Sequence, residues 1–318
     1  MTRHLLDLSD LDVAELDAVV ALAVDPRPPA VLAGSGVAMV FEKSSNRTRN
    51  STEMAVVALG GHPLYIQGHE VGLDVRESAE DVARTLAAYH RVLCARVVDH
   101  QVLVRMAAAL DAAGAGVPVV NLLSDRSHPC QAVGDLITLR ELLAPGSTDP
   151  LALAGRRLAY VGDANNVCRS LAQAGAMAGL AVTVASPPGY DLGPEELAEL
   201  DRLAAAAGRG GSVRCVADPV EAVAGADAVY TDVWTSMGQE DEAETRRAAF
   251  AAYQVDEALL EAAGPAAVLL HCLPAHRGEE VTAGALEGPR SAVWRQAAHR
   301  RTAMVGILSW LTGPGALG

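Results

Sequence analysis

Short apolar runs alternate with longer stretches of helical spacing along this chain, and the alternation predicts a repeating strand and helix order. The runs at 37–41 (VAMVF), 64–67, 93–98 (LCARVV) and 117–123 (VPVVNLL) are rich in β-branched and aliphatic residues and end in polar or glycine-bearing turns, as buried strands do. Helices are predicted between them over 48–59, closed by Gly60-Gly61, from 79 towards 91 behind Ser78 and Asp81, and over 106–113. Ahead of these, Ser9 and Asp10 cap a first helix that runs to about Ala23 and stops before Pro26 and Pro28. Ser127-His128-Pro129 opens a helix through Leu143, with proline at the first helical position, where its missing N–H is harmless. Residues 144–150 (APGSTDP) break the pattern and mark a boundary. Beyond it the order restarts, with strands at 157–161, 181–186, 213–217, 228–232 and 267–272. Helices fall at about 166–178, 194–207 and 219–224, and a last one covers about 292–311. Strands alternating with helices imply an α/β fold of two doubly wound parallel-sheet domains, 1–143 and 151–291, joined by interdomain helices. Helix 292–311 is expected to pack back on the first domain.

Composition narrows the partners. The 318 residues are 50% hydrophobic, enough for two cores, and only 3% aromatic, which leaves most packing to Ala, Val and Leu. Acidic residues outnumber basic ones by 39 to 25, a net charge of −14. That balance argues against a nucleic-acid or anionic-membrane partner, so an anionic substrate would need a local cationic pocket. The five cysteines are odd in number, widely spaced and without a CxxC pair, which suits a reducing cytosol and argues against a disulfide framework or structural zinc. The N-terminus MTRHLLDLSDLD lacks the apolar core of a signal peptide, and no apolar run is long enough to span a bilayer.

Ligands of open parallel sheets sit at the carboxyl ends of strands. The strand-end residues are therefore 45–49, Arg96, 128–131, 163–166, 232–238 and 271–274. At the first of these turns, free N–H groups and the helix dipole favour an anion, and Ser45, Thr48, Arg47 and Arg49 add donors for a phosphate. Taken alone, the same turn reads as a capped helix start with solvated arginines. His128 before a helix-opening proline reads alone as a capping group, although the spacing places Gln131 one turn on, so both can face one ligand. Cys130 between them suits the core. The turn VGDANN lacks the second and third glycines of a dinucleotide fingerprint, which removes a nucleotide-dependent dehydrogenase. Cys272 as a nucleophile lacks any local Cys–His–Asn signature.

Ser45-Asn46-Arg47-Thr48-Arg49, His128-Pro-Cys-Gln131, Asp232-Val-Trp-Thr-Ser-Met-Gly238 and His271-Cys-Leu-Pro274 occur in that order at strand ends. Together they resemble the signature set of ornithine carbamoyltransferases, and the resemblance runs from about Phe41 to Trp310. It implies transfer of the carbamoyl group of carbamoyl phosphate to the side-chain amine of L-ornithine, giving citrulline and phosphate with no metal or organic cofactor. By position, Ser45, Asn46, Arg47 and Thr48 would hold the phosphate, and Arg96 is similar to a second phosphate and carbonyl arginine. His128 and Gln131 resemble the pair on the carbamoyl oxygen and amide. Backbone carbonyls at Cys272 and Leu273 would take the carbamoyl NH₂, with the Cys272 thiol beside the attacking amine, and Arg300 would reach the carbonyl. Asn166, Asp232, Ser236 and Met237 resemble the receptor for the amino-acid end of ornithine, and the acidic segment 239–244 fits a mobile lid. The family also implies a trimer, or a multiple of trimers, in the cytoplasm.

Three positions depart from the family pattern. Asn46 stands where threonine is common, and Ala298-His299 where Glu-Asn usually precedes the last arginine. Gly72 falls where relatives place a side chain lent to the site by a neighbouring subunit; His69 or Glu70 stand nearby. Putrescine or N-acetylornithine transferases and a catalytically silent binding protein are the competing readings. Asp232 with Ser236-Met237-Gly238 favours a free α-amino acid over the first two. Retention of Arg47, His128 and Asp232 argues against the last. The sequence leaves open whether the reaction serves arginine synthesis or breakdown.

Overall fold

The computed structural model describes residues 2–235 and 240–313. Among them are two sheets in which every strand pairing is parallel. The first contains β1 (Gly36–Phe41), β2 (His62–Gln67), β3 (Val92–Arg96) and β4 (Val119–Leu123) in the order β2-β1-β3-β4. The second contains β5 (Arg157–Val161), β6 (Ala181–Ala185), β7 (Ser212–Val216), β8 (Ala228–Thr231) and β9 (Val268–His271) in the order β7-β6-β5-β8-β9. Both have the expected α/β character. Interior strands such as β3 are buried throughout, because helices cover both faces of a parallel sheet. The edge strands β2 and β7 mix exposed with partly buried positions. Pro63 fits β2 because an edge strand leaves one side of its backbone unpaired.

Several element boundaries differ from the sequence expectation for local reasons. The first full helix is Val13–Ala23, capped by Asp12, whose Oδ1 accepts from the Glu15 N–H at 2.8 Å. Ser9 and Asp10 belong instead to a preceding 3-10 turn capped by Asp7. Asp99 caps a helix His100–Ala112 that starts earlier than its apolar spacing indicated. The helix behind Ser78 ends at Ala87 rather than near 91. Gly68–Val71, Ala243–Phe250, Glu257–Ala263 and Ala283–Glu287 are helices of eight residues or fewer, too short to show a period. Gly72 closes the first of these in the left-handed conformation (φ 64°), where a Cβ would stand 2.6 Å from Cβ of Arg76. The backbone there demands glycine.

The chain divides into two compact units, residues 1–137 with 298–318, and residues 138–297. The first has a core of aliphatic side chains from β1, β3, β4 and the helices beside them, including Val40, Leu93, Leu103 and Met106. Its C-terminal helical segment lies so close to the Val13–Ala23 helix that a Cβ on Gly306 would fall 2.3 Å from the Val19 carbonyl oxygen. The second unit concentrates its scarce aromatic residues. Phe250 meets Tyr190, Trp234 and Tyr253 at centroid distances of 4.8, 5.9 and 6.1 Å. Among the described residues no helix is long and apolar enough to cross a membrane.

Candidate active site

In the first unit, strand register gathers the predicted anion-binding groups. Phe41 pairs with Arg96, and Arg96 with Leu123, so the carboxyl ends of β1, β3 and β4 lie side by side. The chain leaves β1 and starts the helix Asn46–Ala58 at Ser45, whose Oγ accepts the Thr48 N–H at 3.3 Å. Free N–H groups of a first helical turn and the helix dipole make such a start attractive to an anion. Ser45 and Arg47 are half-buried, Asn46 is exposed and Thr48 is buried. Arg49 does not join them: its Nε donates to Glu53 at 2.8 Å and its guanidinium lies 3.8 Å from the Tyr65 ring centroid.

Arg300, from the helix Val293–Thr312, is buried among these groups. Its Nη2 donates to Thr48 Oγ1 at 3.1 Å and its Nη1 to Gln131 Oε1, while its Nε is buried without a hydrogen-bond partner. Gln131 in turn donates from Nε2 to Asp135 Oδ1 at 2.7 Å. His128 is buried, and burial first, then the positive charges of Arg300, Arg96 and Arg47, hold its pKa well below 6.5. The imidazole is therefore neutral, with one N–H to give and one lone pair to receive. Beneath the turn that carries it, Ser124 Oγ meets His100 Nδ1 at 2.8 Å, and Asn121 Nδ2 donates to Ser124 Oγ and to the Ser127 carbonyl. Cys130 faces this core. Its thiol donates to the Asn121 carbonyl at 3.3 Å, and burial pushes its pKa up to about 12.

Register also builds the cluster in the second unit. Thr231 of β8 pairs with His271 of β9, which brings the next residues, Asp232 and Cys272, to the same level. The Cys272 thiol donates to Asp232 Oδ1 at 2.9 Å. Asn165 donates from Nδ2 to Asp232 Oδ2, also at 2.9 Å, while its Oδ1 caps the helix Asn166–Ala178 through the Val167 and Cys168 N–H groups. Asn166 itself is half-buried at the head of that helix. Leu273 sits in the left-handed region (φ 57°), an uncommon conformation for such a side chain, and its N–H donates to His271 Nδ1 at 2.8 Å. His271 Nε2 lies 3.0 Å from Glu280 Oε1. Both nitrogens of His271 are thus already engaged, Nδ1 by the Leu273 N–H and Nε2 by Glu280, which opposes a cysteine–histidine nucleophile. Ser236 and Met237 lie outside the described residues.

The sequence reading missed a buried ion pair beside this cluster. Arg246 Nη1 donates to Asp163 Oδ2 and to the Trp234 carbonyl, each at 2.9 Å, its Nε donates to Glu242 at 3.1 Å, and its guanidinium lies 5.0 Å from the Tyr190 ring centroid. Burial raises the Asp163 carboxyl to about 6 even though Arg246 pulls the other way. The acidic stretch expected to be a mobile lid is, from Glu240 onward, a 3-10 turn leading into the helix Ala243–Phe250, fastened by this arginine. Only the i, i+4 spacing of Glu242 and Arg246 hinted at it. Asn165 and Asp135 were likewise missed, although an asparagine heading a helix and an acid one turn after Gln131 are visible signals. Among the described residues, two sets of donor atoms within 4.8 Å of one another have the composition of a cation site, Asp232 with His271 and Cys272, and His276 with Glu279 and Glu280. In the first set His271 would have to give up a hydrogen bond to serve.

These clusters have complementary chemistry. One offers a neutral imidazole and several guanidinium groups at a helix start, suited to a phosphate and a polarised carbonyl. The other offers a carboxylate, a thiol and amides, suited to an ammonium or amine.

Comparison with known proteins gives the same division. Residues 3–141 match the family described as aspartate/ornithine carbamoyltransferase, carbamoyl-P binding domain, and residues 154–311 match its Asp/Orn binding domain. An ornithine carbamoyltransferase of Acidothermus cellulolyticus is 47% identical over 316 residues, covering 98% of this chain and 97% of that protein. One from Methanothermobacter thermautotrophicus is 43% identical over 313 residues, covering 98% and 99%. The solved ornithine carbamoyltransferase of Pyrococcus furiosus superposes with a TM-score of 0.88 at 42% identity, covering 98% of this chain and 97% of that one. With its motifs, its two parallel sheets and its near-full-length relatives in agreement, this chain belongs to the aspartate/ornithine carbamoyltransferase family.

Proposed function

We infer that this protein is an ornithine carbamoyltransferase, moving the carbamoyl group of carbamoyl phosphate to the side-chain amine of L-ornithine to give L-citrulline and phosphate. Relatives of that activity aligned along nearly the whole chain support the choice of acceptor. The observation that carries the chemistry is the buried His128 lying among the positive charges of Arg47, Arg96 and Arg300 beside the helix start at Ser45. The phosphate is assigned to Ser45, Asn46, Arg47 and Thr48, with Arg96 reaching it from β3. His128, remaining neutral, donates its N–H to the carbonyl oxygen, and Arg96 and Arg300 stabilise the charge that grows there. Gln131 and the carbonyls of Cys272 and Leu273 take the carbamoyl NH₂.

Ornithine is assigned to the second unit, its α-amino and carboxylate ends to Asn166, Asp232, Ser236 and Met237, its side-chain amine to the neighbourhood of Cys272. The deprotonated amine attacks the carbonyl carbon, a C–N bond forms, and the C–O bond to phosphate breaks. Attack makes that nitrogen cationic, and the proton it then sheds leaves on the phosphate. Carbamoyl phosphate is already an activated anhydride, so positioning and charge stabilisation supply most of the rate. On this reading residues 1–143, with the helix 292–311, form the carbamoyl-phosphate domain, and 151–291 the ornithine domain. The working particle is a cytoplasmic trimer, or a multiple of trimers.

The test is citrulline formation from carbamoyl phosphate and ornithine, beside putrescine and N-acetylornithine as acceptors, with mass measured by light scattering. Turnover with ornithine well above both alternatives is expected. Preference for either rival would overturn the acceptor assignment, and a monomer would overturn the assembly.

A further inference from the structure

Asp135 has no part in the chemistry above, yet it is completely buried one helical turn beyond Gln131 and receives that side chain's Nε2 at 2.7 Å. The opposite end of the same amide, Oε1, receives Arg300 Nη1. Gln131 and Arg300 are themselves almost wholly buried, so both bonds are shielded from bulk water. A carboxylate oxygen only accepts and a guanidinium N–H only donates. The two charged neighbours therefore decide which end of the amide is which: nitrogen towards Asp135, oxygen towards Arg300. Turned over, the amide would set its carbonyl against a carboxylate and its NH₂ against a guanidinium. The oxygen end is also the one on the side of the helix start, since Arg300 spans from Gln131 Oε1 to Thr48 Oγ1. An amide oxygen has two lone pairs, and Arg300 takes one of them.

We propose that Asp135 is a specificity-determining positioning residue, which by pinning the Gln131 amide makes the site present a hydrogen-bond acceptor, never a donor, to the group beside the reacting carbonyl. A ligand carrying H₂N–C(=O)– satisfies that acceptor. An acyl phosphate carrying CH₃–C(=O)– leaves the second lone pair of that oxygen buried without a donor, which a site built around a polar partner penalises. Discrimination between a carbamoyl phosphate and an acetyl phosphate then depends on a residue that touches neither. This inference rests on the carbamoyl-phosphate reading of the first unit.

The experiment uses two stable phosphonates of nearly equal shape, phosphonoacetamide with an NH₂ and acetonylphosphonate with a CH₃, titrated calorimetrically into the intact protein. Wild type is expected to bind the amide more tightly. Asp135→Asn keeps the shape but can donate as well as accept, so it no longer forbids the turned-over amide. Exchanging one charge-assisted hydrogen bond for a neutral one should reduce the amide-to-ketone preference about tenfold. Affinity for the ketone should stay within about twofold of wild type by the same reasoning. An unchanged preference, or equal loss of both ligands, would overturn the proposal, the latter because it reports only a structural role. Should Asp135→Asn not fold, Gln131→Met must lose the preference with Asp135 in place, and keeping it overturns the proposal equally. If wild type binds neither phosphonate, the carbamoyl-phosphate reading fails first and this inference goes with it.

Discussion

Replacing Arg246 by alanine would expose how much the second unit depends on one buried cation. The guanidinium donates to Asp163, Trp234 and Glu242, and the Asp163 and Arg246 side chains are only 10% and 7% exposed. Removing one partner of such a buried pair costs about 3–5 kcal/mol, because the other charge is left without compensation. The loss must depend on pH. Asp163 has its carboxyl raised from 3.8 to about 6 in the folded protein, so the folded state holds its proton more tightly than the unfolded chain. Its contribution is fully present below about pH 4 and is lost as pH rises through about 6, a swing of about 3 kcal/mol for two units. Near pH 5 the carboxyl is mostly protonated and Arg246 has little charge to neutralise. Above pH 7 it is ionised, and the arginine matters most.

Arg246→Ala should therefore melt about 6–12 °C below wild type at pH 8, taking about 3 kcal/mol at 2–4 °C per kcal/mol, with a clearly smaller gap at pH 5. Calorimetry across that range is the assay. Asp163 lies three residues before Asn166, and Trp234 two after Asp232, so the KM for ornithine should rise while that for carbamoyl phosphate holds. Arg246→Lys, keeping the charge without the fork, should fall between. A gap that is absent, or equal at pH 5 and pH 8, would refute the assignment of the Asp163–Arg246 pair as the source.

Arg47→Ala should lower citrulline turnover by on the order of a hundredfold or more with its circular dichroism unchanged; near-normal turnover would remove Arg47 from the chemistry. His128 should remain a neutral imidazole in nitrogen NMR at about pH 6. Because its folded pKa is depressed, its contribution to stability is full above about pH 6.5 and declines as pH falls, and an imidazolium signal at pH 6 would contradict the electrostatics. Gly306→Ala should destabilise the first unit by about 1–3 kcal/mol. The added methyl meets the Val19 carbonyl oxygen and the Ala23 nitrogen, both backbone atoms. That outweighs the helix propensity it gains, and a raised melting temperature would show that the two helices can part cheaply.

Much of the architecture was legible because central parallel strands are buried on both faces. β3 and β5 read as nearly continuous apolar runs, and the helices Asn166–Ala178 and Pro194–Ala207 carry both a cap and a full period. What escaped was decided by tertiary partners. His62 and Pro63 join β2 only because it is an edge, and the short helices after Thr231 hold too few residues for periodicity to appear. Candidate site residues were legible where a motif named them, as with Arg47, His128 and Asp232. Asp135, Asn165 and Arg246 were not, because their significance depends on neighbours brought in by helix packing or strand register. Arg49 shows the converse: a cation in the right motif that the fold spends on Glu53 and Tyr65.

The placing of Trp234 has an optical consequence. Of the chain's three tryptophans, this indole is 3% exposed, stacks on Phe250 and stands two residues past Asp232, whereas Trp294 is 58% exposed. Its emission should lie to the blue of the solvent-exposed Trp294, as should that of Trp310, which is 9% exposed, so the buried pair can be separated from Trp294 by wavelength or by quenching with iodide. On the ornithine assignment proposed above, ligand settling against Asp232 should alter the Trp234 share of the blue component and leave that of Trp310 unchanged, a label-free fluorescence test of that assignment.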